Sequence, residues 1–145
     1  MILAIDPGRS CGYAVFDAKD ESITIVAIGA FDIKAKDAGE AMSRLRDEIE
    51  KLVRAFAIEF VHMEQYFFNK KFPNGAEFNY YLRGAVLHTL YDWKIPSSQH
   101  APTTWKKFIC GKTRPAPNDV ALYGPKAAKT FVKVALENTY DLKLP

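Results

Sequence analysis

The spacing of the apolar residues changes once along this 145-residue chain, and the change restricts the folds that it can adopt. Before residue 38, the segments "ILAI", "GYAVFDA" and "SITIVAIGAFDI" are rich in β-branched or aromatic residues, which predicts three strands. From Ala38 to Ala57 the apolar residues recur every three or four positions, which predicts an amphipathic helix. The chain therefore starts as strands and then changes to helix.

After this helix, strand-like and helix-like segments alternate. The segment "IEFVHME" predicts a fourth strand and "KIPSSQ" a short fifth one, and residues 74–93 between them have a helical pattern with Asn74 as its N-cap. A hairpin meander continued by parallel crossover units predicts an α/β fold with a mixed sheet.

The C-terminal third is predicted to be helical at both of its ends. "TTWKKFIC" predicts a short helix that ends at Gly111, and a last helix runs from Pro125, which suits the first turn, to about Asn138. The stretch "GKTRPAPNDVALYGP" is rich in Pro, Gly and Asn and predicts a mobile loop. Without a linker or a repeat, residues 1–145 are predicted to form one domain.

The composition excludes several classes of protein. The chain has no apolar run near the roughly 18 residues that a membrane-spanning helix needs, and its N-terminus lacks a secretion signal. Its cysteines, Cys11 and Cys110, lie far apart without metal-type spacing, which suits a reducing compartment. We therefore predict a cytoplasmic protein without a membrane partner.

A single acid ends each of two predicted strands. Asp6 follows "ILAI" directly, and Glu64 ends "FVHME" in the same way. Open α/β sheets place ligands at the carboxyl ends of their strands, so neighbouring strands would bring both carboxylates to one edge. The alternative is that each acid is an ordinary polar strand end, since Asp-Pro-Gly also favours a turn.

Two carboxylates at one edge would repel each other unless a cation lies between them. Mg²⁺ prefers oxygen ligands and accepts sites with few carboxylates, completed by substrate phosphate and water. The pair Asp6 and Glu64 therefore predicts metal-assisted cleavage of a phosphodiester.

Positive charge is concentrated near the C-terminal end of the chain. The basic residues of this region are Lys106, Lys107, Lys112, Arg114, Lys126, Lys129 and Lys133, and Asp119 is the one acid among them. The last three lysines are spaced to share one helical face, with Ala128 and Phe131 on the opposite face. This pattern predicts a surface that binds a polyanion, and its alternative is an ordinary solvated helix face.

Aromatic residues follow Glu64 closely in "EQYFFNKKFPNG". An exposed aromatic residue beside an acidic site can stack on unpaired bases. We predict this role for Phe67, whereas Tyr66 or Phe68 would pack in the core. His100 is a further candidate for a polar contact at the same edge.

These motifs resemble those of RuvC-type Holliday-junction resolvases, a family of the ribonuclease-H-like superfamily. The resemblance rests on "AIDPGRSCGYAVFD", "HMEQYFF", "LRGAV", "IPSSQHAPTTWKKFICG" and "GPKAAKTFVKVAL", which occur in the family's order. It implies a ribonuclease-H-like, five-stranded mixed sheet flanked by helices, with the first three strands antiparallel. It also implies a homodimer, dependence on Mg²⁺ or Mn²⁺, nicking of branched DNA, and a bacterial or phage-infected cell as the setting.

The resemblance implies roles for single residues as well. Asp6 and Glu64 match the catalytic acids that bind the metal, and Phe67 matches an aromatic residue near the junction centre. Arg83 and Gly84 match an Arg-Gly pair on the helix that family members use for dimer contact. The matches to basic residues that approach DNA are Lys106 and Lys126.

One departure from the family pattern concerns the metal ligands. Family members carry two further acids on a helix beyond the position of Pro145, and Asp141 matches neither of them. We expect the chain to be truncated before this helix; the alternative is a catalytically incomplete protein that binds DNA structures. Another alternative is a sugar-kinase or actin-like ATPase, because "DPGRS" also fits their phosphate loop, although they need two such domains.

Overall fold

A computed structural model describes residues 1–19, 22–65 and 76–140. The strands are β1 (Ile2–Asp6), β2 (Ser10–Lys19), β3 (Ser22–Asp32), β4 (Phe60–Glu64) and β5 (Ser97–His100). The helices are α1 (Ala38–Phe56), α2 (Ala76–Asp92), α3 (Pro102–Cys110), α4 (Pro117–Tyr123) and α5 (Ala127–Tyr140), with a 3-10 turn at Gly124–Lys126. None of the helices described here is long and apolar enough to span a bilayer.

The five strands form one mixed sheet in the order β3-β2-β1-β4-β5. Strand β1 pairs with β2 in antiparallel orientation and with β4 in parallel orientation, and β2 and β3 are antiparallel. This topology confirms the predicted meander of three strands followed by a parallel crossover. It places β1 in the centre of the sheet, beside β4.

The β2–β3 hairpin contains a bulge. Val15 pairs with Ala27 but the next residue of β2, Phe16, pairs with Ile25, so Val26 has no partner across the hairpin. A bulge of this kind adds one residue to one strand and increases the local twist.

A hydrophobic core lies between the sheet and helices α1 and α2. Helix α1 begins after Asp37, whose side chain accepts a hydrogen bond from the amide of Glu40, and it ends at Ala57 in the left-handed conformation. Fully buried side chains from the strands and from both helices meet in this core; they include Leu3, Val15, Val61, Leu45, Ile49, Leu82 and Val86.

The chain forms two compact units, Met1–Gln99 and His100–Pro145. The first unit contains α1, α2 and the strands up to Gln99, and the second contains α3, α4 and α5. That the whole chain acts as one nuclease domain stays a prediction.

The predicted loop before the last helix is wrong, because residues 117–123 form α4. The carboxylate of Asp119 accepts hydrogen bonds from the amide of Ala116 and from Nζ of Lys112, both at 2.7 Å, and so closes the first turn of this helix. Pro125 therefore lies in the 3-10 turn, and the last helix begins two residues later, at Ala127.

Two other element boundaries differ from prediction. Strand β5 starts at Ser97, because Lys94 has a φ of 56° and its amide donates to the carbonyl of Tyr91, which closes a turn after α2. Ala128 is exposed and Ala127 takes the buried place on α5. The predicted cap Asn74 lies outside the described residues.

Candidate active site

The carboxylates of Asp6 and Glu64 lie at the same edge of the sheet. Strands β1 and β4 are parallel neighbours, and their register pairs Leu3 with Val61 and Ile5 with Met63. Asp6 and Glu64 follow this last pair as the final residues of their strands. Because adjacent strands lie about 4.8 Å apart, this register brings the two acids side by side.

Both acids project away from the hydrophobic core. Leu3 and Ile5 are buried, and since side chains alternate along a strand, Asp6 lies on the opposite face and is exposed. The residue that pairs with Asp6 on the neighbouring strand β2 is Gly12. Its missing side chain leaves space beside the carboxylate, because no atom of the described residues lies within 4 Å of the position that a Cβ would take. The pair is therefore accessible to a large ligand.

Arg83 contacts the end of β4 from helix α2. Its Nη1 donates a hydrogen bond to the main-chain oxygen of Glu64, and its Nη2 donates to Oε1 of Gln99 at 2.6 Å. Burial lowers the pKa of Arg83, while the negative charges of Asp6 and Glu64 act in the opposite direction. One guanidinium is thus within electrostatic reach of both carboxylates.

Two residues near this edge were missed by sequence reasoning. Arg9 lies in the turn after β1, and its guanidinium stacks over the ring of Phe78 at 4.1 Å from the ring centre. Gln99 lies on β5 and is bound by Arg83. Arg9 could have been suspected from "DPGR", which places a cation three residues after the acid, whereas nothing in the sequence indicates Gln99.

His62 shares the face of Glu64 but is held by a neighbouring strand. Its Nδ1 lies 2.7 Å from the hydroxyl of Ser98, and its ring packs against Phe60 with the ring centres 4.9 Å apart. His100, the further candidate for a polar contact, is the last residue of β5. Phe67, the predicted base-stacking residue, lies outside the described residues, and its role stays a prediction.

The donor set at this edge fits a hard divalent cation. Both candidate ligands are carboxylates, and Mg²⁺ is commonly held by one or two carboxylates with water and substrate phosphate in the other positions. Within the described ranges, no group of three His, Cys, Asp or Glu side chains could hold a metal ion. As carboxylates, Asp6 and Glu64 fit an ion whose other positions are taken by water and substrate phosphate, and they are not the His and Cys ligands typical of a structural zinc site.

Cys11 is a buried core residue beside this edge, and we expect its thiol to be unreactive. Burial raises the pKa of its thiol to about 12, with a further rise from the charge of Asp6 and an opposing hydrogen bond from the main chain of Gly8. At pH 8 only about one such thiol in ten thousand is ionised, and the thiolate is the reactive form. We expect iodoacetamide to label Cys110 alone in the native protein and both cysteines after denaturation, as counted by mass spectrometry. Labelling of native Cys11 as fast as Cys110 would contradict this.

The basic residues predicted to bind DNA all lie in the second unit. Lys126, Lys129 and Lys133 line one shallow groove along α5, which we call the α5 groove. Lys107 lines a separate open groove beside Phe108, which is 84% exposed.

The other basic residues of this unit differ in their contacts. Lys112 is paired with Asp119 at 2.7 Å, and the ammonium of Lys106 lies over the ring of Trp105. Arg114 is exposed. The charges of Lys112 and of Lys133, whose Nζ lies 3.9 Å from Oε1 of Glu137, are therefore partly neutralised within the chain, whereas Lys126 and Lys129 are exposed along the α5 groove.

Helix α2 carries an exposed apolar stripe on its outer side. The α2 stripe consists of Tyr80, Gly84, Leu87 and Tyr91, which are spaced to share one helical face. A Cβ at Gly84 would have no neighbour within 4 Å. The part of the chain that the structure describes therefore does not require glycine at this position.

The family model for crossover junction endodeoxyribonuclease RuvC matches residues 2–132. The chain belongs to the RuvC family. The RuvC protein of Ehrlichia chaffeensis is 25% identical over 143 residues, which cover 97% of this chain and 88% of the relative. That of Ruegeria pomeroyi is 30% identical over 111 residues, which cover 76% of this chain and 67% of the relative.

Solved structures of RuvC-family and related resolvases share the fold. A Thermus thermophilus RuvC in complex with a Holliday junction substrate superposes with a TM-score of 0.76 at 20% identity, over 99% of this chain and 81% of that one. The yeast mitochondrial Holliday junction resolvase Ydc2 gives a TM-score of 0.60 at 12% identity, over 99% and 70% of the two chains. The predicted ribonuclease-H-like sheet is therefore confirmed.

Proposed function

We propose that this chain is a metal-dependent endonuclease that nicks Holliday junctions or related branched DNA. The observation that carries the proposal is the register of β1 and β4, which ends both strands on a carboxylate at one edge of the sheet. Membership of a family of crossover junction endodeoxyribonucleases supports the reaction. The Thermus thermophilus structure, solved with a Holliday junction, supports the substrate.

Asp6 and Glu64 would hold the Mg²⁺ or Mn²⁺. When bound, such an ion supplies a nucleophilic water and neutralises charge on the phosphate that is cut. Gly12 leaves room for a DNA backbone beside Asp6.

Basic side chains of the second unit would hold the DNA backbone. Contacts to phosphate fix the position of a protein on DNA without reading sequence. The predicted set is Lys106, Lys107, Lys112, Arg114, Lys126 and Lys129. Among them the lysines of the α5 groove are the best placed, because they are exposed along one surface.

We also propose a homodimer that forms through helix α2. Tyr91 is 82% exposed and Tyr80 is 53% exposed, so the α2 stripe presents apolar surface that a second copy could cover. Gly84 in its middle would let two helices approach closely. Arg83, by contrast, uses its hydrogen bonds within the chain, and a dimer role for it stays a prediction.

The bacterial relatives support a bacterial or phage-infected cell as the setting.

The proposed function is tested with a labelled four-way junction and the full chain. Nicks in Mg²⁺ or Mn²⁺ but not in EDTA, with binding in both, would support it. Binding in both conditions without nicks in either would instead identify a DNA-structure-binding protein, the alternative function. A flap and a replication fork of equal length serve as competing substrates.

Replacement of two lysines of the α5 groove should change the salt dependence of binding. Each lost phosphate contact reduces the slope of log affinity against log salt by about 0.9, so Lys126→Gln combined with Lys129→Gln should reduce it by about 2. The measurement is junction binding in EDTA at a series of salt concentrations. Lys34→Gln with Lys36→Gln, two exposed lysines of the first unit, is the matched control. Equal slopes for both double variants would exclude the α5 groove as a DNA contact.

A further inference from the structure

Among the described residues, Arg83 is the one charged side chain that the fold buries. It is 8% exposed, and its neighbours Leu82 and Val86 on α2 are fully buried. A buried guanidinium is costly unless its donors are satisfied and its charge is balanced. The partners that Arg83 uses for this are therefore informative.

The guanidinium of Arg83 joins two neighbouring strands at the edge that carries the carboxylates. Glu64, whose main-chain oxygen accepts from Nη1, is the last residue of β4. Gln99, whose side chain accepts from Nη2, lies on β5 beside it in the sheet. Hydrogen bonds from a charged donor are roughly twice as strong as those between neutral groups. Arg83 thus holds the main chain at the point from which the Glu64 side chain projects.

The charge of Arg83 is partly balanced at the same edge. Asp6 and Glu64 both interact with it electrostatically, and so does Tyr80 of the same helix. Because Asp6 and Glu64 end adjacent parallel strands, a single positive group close to both reduces their mutual repulsion. No other buried cation within the described part of the chain could do this.

We propose that Arg83 is a positioning residue for the carboxylate pair, which anchors the main chain at Glu64 and balances the charges of Asp6 and Glu64 in the metal-free protein. This inference rests on the proposed function, in which the same two acids bind a divalent cation. Arg83 and the cation would then neutralise the same charges. The cation therefore binds against the positive charge of Arg83, and removal of that charge should strengthen cation binding although it weakens the fold.

The first test measures Mn²⁺ binding to the full chain by calorimetry, without DNA. Arg83→Gln removes the charge, and we expect it to bind Mn²⁺ about tenfold more tightly than the wild type. Arg83→Lys retains the charge but loses the bidentate hydrogen-bond donor, and we expect its affinity for Mn²⁺ to stay within about threefold of the wild type. A Mn²⁺ affinity of Arg83→Gln that is equal to or weaker than that of the wild type would overturn the charge balance, and an affinity that falls in both Arg83→Gln and Arg83→Lys would mean that Arg83 only anchors the main chain at Glu64.

The second test needs no metal and measures the Tm in EDTA. Arg83→Gln should lower the Tm by about 5 °C. In an Asp6→Asn background, Arg83→Gln should lower the Tm by about half as much, because the negative charge that Arg83 balances is already reduced. Asp32→Asn is the matched control, since Asp32 is an exposed acid at the end of β3 that does not act on Arg83. An equal decrease in Tm in the wild-type, Asp6→Asn and Asp32→Asn backgrounds would mean that Arg83 only packs the core.

The two tests separate this inference from the proposed function. If the wild type binds no Mn²⁺, the proposed metal site is wrong, and the coupling between Arg83 and Asp6 in EDTA decides the role of Arg83 alone. If the wild type binds Mn²⁺ and Asp6→Asn does not, the metal site is supported. The Mn²⁺ affinity of Arg83→Gln then decides whether Arg83 opposes binding of the ion.

Discussion

Asp6→Asn should reduce nicking of a four-way junction by about a thousandfold or more and leave binding to the junction intact or tighter. The exchange removes one of two candidate ligands for the metal ion and retains the shape of the side chain. It also removes a negative charge that repels the DNA backbone, which is the reason that binding should not weaken. The measurements are single-turnover cleavage in Mg²⁺ and a binding titration in EDTA.

The matched control for this exchange is Asp32→Asn. Asp32 ends β3, which lies two strands away from β1 in the sheet order, pairs with Ser10 and is exposed. We expect this variant to cleave at the wild-type rate. A loss of junction binding in Asp6→Asn would show instead that Asp6 is structural, and a loss of cleavage in both variants would show that net charge, not metal ligation, is responsible.

Leu87→Glu should convert the proposed homodimer to a monomer. Leu87 lies in the centre of the α2 stripe and is 38% exposed, and in a symmetric contact each copy would introduce a buried carboxylate. An uncompensated buried charge costs several kcal/mol, so we expect association to weaken by about a hundredfold or more. Sedimentation velocity at a series of concentrations measures this. Ile28→Glu, a change of similar exposure on β3, is the control and should leave the dimer intact.

Gly84→Ala separates the dimer from the fold in the same assay. A Cβ at this position meets no atom of the described residues within 4 Å, and alanine is favoured over glycine in a helix by about 1 kcal/mol. The monomer should therefore become more stable while the dimer becomes weaker. If Gly84→Ala raises the Tm and leaves the association constant unchanged, helix α2 is not the site of close approach between two copies.

The sequence was sufficient to predict the sheet and its acidic edge. Each of Asp6 and Glu64 follows a short apolar run, and both runs became neighbouring parallel strands, because an acid that ends a buried strand is visible in the local pattern. The role of Arg83 was not visible in this way. Its contacts with Glu64 and Gln99 join residues 19 and 16 positions away in the chain, and local patterns carry no record of such pairs.

Composition was misleading at α4. The Pro, Gly and Asn residues of this stretch predicted a loop, but Pro117 occupies the first turn of a helix, where its missing amide costs nothing. Asp119 then supplies the acceptor for the first turn, and the helix ends at Gly124. The same residue types that interrupt a helix also begin and end one, and only their spacing distinguishes the two cases.

The bulge in β3 protects the acidic edge from changes in hairpin length. Val26 is not paired across the hairpin. Deletion of this residue would make Ile25 and Ala27 consecutive, so that their side chains alternate between the two faces of the sheet and each keeps its partner on β2. Relatives could therefore gain or lose a residue in the outer half of the hairpin while Gly12 stays opposite Asp6. The register that places Gly12 opposite Asp6 therefore does not depend on the residue count beyond the bulge.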